Sequence, residues 1–176
     1  IMKICLSGFV LVLIMSCTSI KSTQQAINQG DYSKAITGAI KKISKNKYSE
    51  KSKAYADLLF EAYKKNENQT LDQINFLKKD NQDLNAKQIL RSFKQLKQTQ
   101  DRIRPLLPLE GTKANLNFDF VNIEDRLLRA KDNYVNILFS EAIDLIETGQ
   151  PLDSRNAYKK LQEVKSLDAT YPELKQ

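Results

Sequence analysis

Apolar positions recur along most of this chain at helical spacing. Ala35, Ile36, Ala39, Ile40 and Ile43 follow one another in steps that keep them on one helix face. With Asp31 as N-cap, they predict a helix from about Tyr32 to Ser44. Gly30 breaks the chain before it, behind a short helical run, "STQQAINQ". Gly38 weakens the predicted helix by about 1 kcal/mol relative to alanine, while leaving room for a close neighbour. A further stripe, Ala54, Tyr55, Leu58, Leu59, Ala62 and Tyr63, predicts a helix from about Glu50 to Lys65. "TLDQ", Thr70 to Gln73, has the capping-box pattern and predicts a separate short helix to about Lys79. "NAKQ", Asn85 to Gln88, opens another that carries Ile89, Leu90, Phe93, Leu96 and Ile103, and Pro105 closes it.

The pattern changes between Pro105 and Asn122, "PLLPLEGTKANLNFDFVN", where breakers concentrate. Leu116, Phe118 and Phe120 alternate with Asn117 and Asp119, the period of one extended segment. A lone strand makes no sheet, so the segment is expected as an ordered crossing loop that lays Phe118 and Phe120 into a helical core, or else as a ligand or partner groove. "NIED", Asn122 to Asp125, then starts what is predicted as the longest helix, to about Thr148, ended by Gly149 and Pro151. Asp153 is expected to cap the last helix, which turns Ala157, Leu161 and Val164 inward.

The beginning of the chain follows neither period. From Ile4 to Met15 it is almost wholly apolar behind Lys3. As a helix this run would span about 18 Å, against about 30 Å of bilayer hydrocarbon, so it is short for a membrane span and fits the centre of a secretory signal. Its end, "LIMSC", Leu13 to Cys17, resembles the lipobox of bacterial lipoproteins, with Ile14 and Ser16 in fitting places and Met15 where a smaller or branched residue is usual. The resemblance implies that residues 1–16 are a cleaved signal peptide and that Cys17 becomes the first mature residue, carrying acyl chains. Two or three chains on one cysteine anchor stably where one alone is marginal. Thr18 stands where an aspartate would retain the protein at the inner membrane, and no acidic run follows. The resemblance therefore implies the outer membrane, facing the periplasm. Residues 17–24, polar and aperiodic at their start, are expected as the lipidated tether, and residues 25–176 as the helical domain.

A second resemblance concerns the hairpins. Gly30, Asp31, Tyr32 and Ala35 resemble the middle of a tetratricopeptide repeat, and "LQEVKSLDATYPEL", Leu161 to Leu174, resembles the end of one. The regular period of that family is not sustained. The expected fold class is thus all-α: antiparallel helical hairpins, tetratricopeptide-like or an irregular bundle, with one ordered crossing loop that contains proline and phenylalanine. The ending "YPELKQ" reads as though a further helix should follow, as in a longer protein.

Composition narrows the chemistry. There is no histidine, and the two cysteines, Cys5 and Cys17, both belong to the opening segment. A disulfide framework, a Cys/His metal site and a Ser-His or Cys-His nucleophile are thereby excluded. No cofactor is expected. The net charge is +7, densest in "KKISKNKYSEKSK", Lys41 to Lys53. That run is either a solvated helix end and loop or a patch that meets anionic lipid headgroups or an acidic partner. No nucleic-acid-binding motif accompanies the charge, so nucleic acid is not expected as a partner.

The leading expectation is a non-enzymatic, lipid-anchored envelope protein that binds another envelope protein as an interaction or assembly scaffold. One alternative is a lipid- or glycan-binding module using Arg102, Arg104, Phe118, Phe120 and Arg126. Another is a cell-wall glycan hydrolase built on a carboxylate pair among Glu110, Asp119, Glu124 and Asp125. Of these, Glu124 and Asp125 are more simply first-turn charges that complement a helix dipole. No catalytic residue is assigned.

Overall fold

A computed structural model describes residues 19–175. The apolar run, its lipobox-like end and Cys17 lie outside the described residues. The protein is all-α, built of helical hairpins. Helix α1 covers residues 19–28, followed by α2 (Tyr32–Ile43), α3 (Glu50–Asn81), α4 (Ala86–Ile103), α5 (Glu124–Glu147) and α6 (Pro151–Leu167). Two short strands, β1 (Leu109–Glu110) and β2 (Asn115–Leu116), pair antiparallel between α4 and α5. Among the described residues no helix is long and apolar enough to cross a membrane.

The chain divides into two compact units: residues up to Leu71 with Gln98–Phe120, and Asp72–Lys97 with the residues from Val121 onward. In the first unit, α1 and α2 form an antiparallel hairpin around Gly30, whose φ of 77° is the left-handed value that favours glycine. Asp31 caps α2 as expected, accepting from the Lys34 N–H at 3.1 Å. The core comprises Ile27, Ile36, Ala39, Ile43, Leu59 and Ala62, with Tyr63, Ile103, Leu109 and Phe118. In the second unit, α5 and α6 pack as a hairpin whose turn places Gly149 at φ 68°. Ile74, Phe93, Leu96, Ile123, Val135, Ala142 and Val164 are among its most buried apolar residues.

Several expectations are corrected. The expected tether, residues 17–24, is helical from residue 19 onward, because Thr23 and Ala26 face the core and recruit the polar residues around them. The helices expected at Glu50–Lys65 and Thr70–Lys79 are one helix, α3, which at 32 residues exceeds the 24 of α5. No glycine or proline interrupts Glu50–Asn81, so a continuous ladder replaces the local capping box at Thr70. Asp153 is not the cap of α6. Gln150 holds that place without a side-chain bond, and Pro151 begins the helix with its preset φ. Asp153 instead accepts from Thr148 Oγ1 at 2.8 Å.

The crossing loop is ordered as expected and contains a pairing that alternation alone did not reveal. Leu109 pairs with Leu116, and Glu110 with Asn115. Gly111 closes this hairpin by donating to the Ala114 carbonyl at 2.8 Å. Asp57 of α3 holds its tip, accepting from Thr112 N at 3.0 Å and Thr112 Oγ1 at 2.6 Å.

Candidate functional site

Beyond β2 the chain runs extended along α3 and inserts two rings beside it. Phe118 meets Phe60 edge-on at 5.1 Å, and Phe120 meets Tyr63 edge-on at 5.3 Å. Phe118 is buried and Phe120 half-buried. Such edge-to-face pairs contribute about 0.5–1.5 kcal/mol each beyond their burial. Period-two alternation explains the placement, since the intervening Asn117 and Asp119 are exposed.

A polar chain threads the same cluster. The Tyr63 hydroxyl donates to Glu67 Oε1 and accepts from Gln100 Nε2 at 3.2 Å. All three residues are buried. Burial, then the bond to Glu67, raises the Tyr63 hydroxyl well above the ordinary phenol value, so it stays a neutral donor. Lys64 closes the outside, 3.4 Å from Glu67 Oε2 and donating to the Asp119 carbonyl at 3.1 Å.

Of the residues singled out from the sequence, Arg104, Phe118 and Phe120 come together here, the Arg104 guanidinium standing 5.1 Å from the centre of the Phe120 ring. Arg102 is exposed and donates to Thr37 Oγ1 at 3.0 Å, tying the end of α4 to α2. Arg126 belongs to the second unit, exposed in the first turns of α5. The four acids are likewise divided, Glu110 and Asp119 in the first unit, Glu124 and Asp125 in the second. Glu110 lies 3.5 Å from Lys53, and Glu124 lies 3.3 Å from Lys97. Among the described residues no group of three His, Cys, Asp or Glu side chains is placed to hold a metal ion.

Two further features bring together residues distant in sequence, the first including lysines of the basic run from Lys41 to Lys53. In the first unit, a groove of about 460 Å³ lies between the α2–α3 turn and the β-hairpin. Lys47, Tyr48 and Lys53 form one wall, and Pro108, Leu109 and Leu116 the other. In the second unit, Tyr134 donates to Glu163 Oε1 at 2.8 Å, while Lys87 Nζ lies 3.0 Å from the same oxygen. Burial pushes the Glu163 carboxyl up, but the bonds from Lys87 and Tyr134 outweigh it and hold the group below its ordinary value. The bond to Glu163 raises the Lys87 ammonium in turn.

No protein-family model matches this chain, and neither a curated protein nor a solved structure matches it.

Proposed function

We propose that this chain is a lipid-anchored protein of the bacterial envelope, held by acyl chains on Cys17 and acting without catalysis as an interaction or assembly scaffold for another envelope protein. The observation that carries the reading is the run from Ile4 to Cys17: a positive flank, an apolar centre too short to span, and "LIMSC" at its end. The body of the protein supports the scaffold part of the reading. Its aromatic cluster is closed by internal partners, and two of the four acids nearest the crossing loop are engaged by lysines. Helical hairpins stacked as repeats, moreover, present concave surfaces that bind partners. Thr18 after the anchor favours the outer membrane, facing the periplasm.

The test is expression in a bacterial host of the chain with Cys17 intact and with Cys17→Ala. The reading expects the mature intact protein to carry acyl mass on Cys17, to sediment with membranes and to bring down a defined envelope protein. An unmodified Cys17 in the mature protein would overturn the anchor. Anchored protein that co-purifies with no other protein, or that turns over peptidoglycan, would overturn the scaffold.

A further inference from the structure

We infer that the turn between α2 and α3 is the face that the first unit lays on anionic phospholipid headgroups of the membrane to which Cys17 is tethered; the inference rests on the anchor reading above.

Two independent contacts bring the start of α1 to this turn. A Cβ placed on Gly38 would lie 3.7 Å from Thr23 Oγ1, which sets the two helices of the first hairpin level at those residues. One turn further along each helix, Ser19 comes level with Lys42. Tyr55, in the second turn of α3, donates to Ser19 Oγ at 2.8 Å, so Ser19 also sits beside the start of α3. Cys17 precedes Ser19 by two residues, a reach of at most about 7 Å even fully extended. An acyl anchor there keeps this end of the unit near the headgroups, at distances comparable to a Debye length of about 8 Å.

The turn is built for such a surface. Residues 41–53 hold six lysines against one acid, Glu50, and Glu50 is engaged by Lys53 at 3.1 Å. Lys41, Lys42, Lys45, Lys47 and Lys51 have no carboxylate within salt-bridge reach among the described residues. The ammoniums are point charges on flexible stems, suited to a cloud of phosphates rather than to one planar, bidentate acceptor. Tyr48 stands among them 87 % exposed, at the mouth of the groove walled by Pro108, Leu109 and Leu116. An amphipathic ring flanked by lysines is the side chain favoured where hydrocarbon gives way to headgroups. Hydrogen bonds also brace the loop. Ser49 caps α3 by accepting from the Ser52 N–H at 3.2 Å, and the Asn46 carbonyl accepts from the hydroxyls of both serines. A cysteine anchor with a polybasic patch beside it makes the second membrane signal.

The test uses the lipidated full chain in vesicles of phosphatidylcholine, with or without phosphatidylglycerol. A fluorophore is placed on Asn46→Cys in a Cys5→Ser background, and a quencher is attached to the lipid headgroups. Mass spectrometry reads the Cys17 acyl chains on the same sample. Quenching is expected to rise at least about twofold with phosphatidylglycerol, and to fall back in about 0.5 M salt. It should also fall back when Lys42, Lys45 and Lys47 become glutamine, a change on exposed or half-exposed side chains whose folding circular dichroism checks. Acylated protein whose quenching ignores lipid charge overturns this inference alone. Protection of the label only when native envelope proteins are present does so too, in favour of an acidic protein partner. Absence of acyl mass overturns the anchor and this inference together.

Discussion

Gln100 donates its side-chain amide to the Tyr63 hydroxyl across 3.2 Å, and that hydroxyl donates onward to the carboxylate of Glu67. The three side chains come from two helices and are buried together, so each would be costly alone and is stabilising in company. Tyr63→Phe keeps the ring contacts with Phe118 and Phe120 but leaves Glu67 and Gln100 without the hydroxyl. It should destabilise the protein by about 1–3 kcal/mol in urea unfolding. Tyr63→Phe with Glu67→Met should cost less than the sum of the two single changes. Additive losses would show that the three groups do not act as one network.

Gly111 is required by proximity. A Cβ there would stand 2.1 Å from Asp57 Oδ1 and 3.1 Å from the Ala114 carbonyl. Asp57 cannot withdraw without giving up both of its bonds to Thr112. Gly111→Ala should therefore destabilise by about 1–3 kcal/mol, as overpacking does. In an Asp57→Ala background the added cost of Gly111→Ala should be smaller, which thermal unfolding of the four proteins would show.

Gly38 and Gly30 should respond in opposite directions. At Gly38 the nearest neighbour of an added Cβ is Thr23 Oγ1 at 3.7 Å, an ordinary contact, and the residue lies inside α2. Gly38→Ala should stabilise by about 0.5–1 kcal/mol through helix propensity. Around Gly30 nothing lies within 4 Å, but its φ of 77° strains any L side chain. Gly30→Ala should cost about 1–2 kcal/mol, by the same thermal scan.

Periodicity carried most of the helical layout into view, because a helix that buries one stripe must repeat it. The Asp31 cap, the Gly30 and Gly149 turns and the stop at Pro105 are local devices, and local devices are written in adjacent residues. What stayed hidden depends on partners distant in sequence. Nothing near Thr70 says that α3 runs through its own capping box. Nothing near Leu109 names Leu116 as its partner. Glu67 and Gln100 look like surface residues until Tyr63 is placed between them. The candidate site divides along the same line: alternation put Phe118 inside, whereas the Arg102–Thr37 contact required the fold.

Asp168 ends α6 and accepts from Lys131 Nζ at 2.9 Å, Thr170 Oγ1 at 2.8 Å and the Thr170 N–H at 3.0 Å. These bonds, that from Lys131 foremost, hold its carboxyl down at about 2. An unfolded aspartate titrates near 3.9, so the folded value is the lower one and the unfolded chain takes up the proton first. The stabilisation is complete above about pH 4 and is lost as pH falls toward about 2. Asp168→Asn should lower the melting temperature at pH 7, and the gap from the parent should narrow steadily below pH 4. A gap that stays constant down to pH 2 would show that the carboxylate charge contributes nothing there.

Glu163 offers one oxygen to two partners of unlike burial, which separates the worth of a surface ion pair from that of a buried hydroxyl. Lys87 and Glu163 have side chains 56 % and 36 % exposed, whereas Tyr134 is only 7 % exposed. Screening limits the Lys87–Glu163 coupling to about 0.2–1 kcal/mol, whereas a Tyr134 hydroxyl deprived of its acceptor costs about 1–3 kcal/mol. Double-mutant cycles with Lys87→Met, Tyr134→Phe and Glu163→Ala should therefore give the larger coupling to Tyr134. Added salt should reduce only the coupling to Lys87, because a bond from a neutral, buried donor has little ionic atmosphere to screen it. Equal couplings with equal salt dependence would place both contacts at the solvated surface.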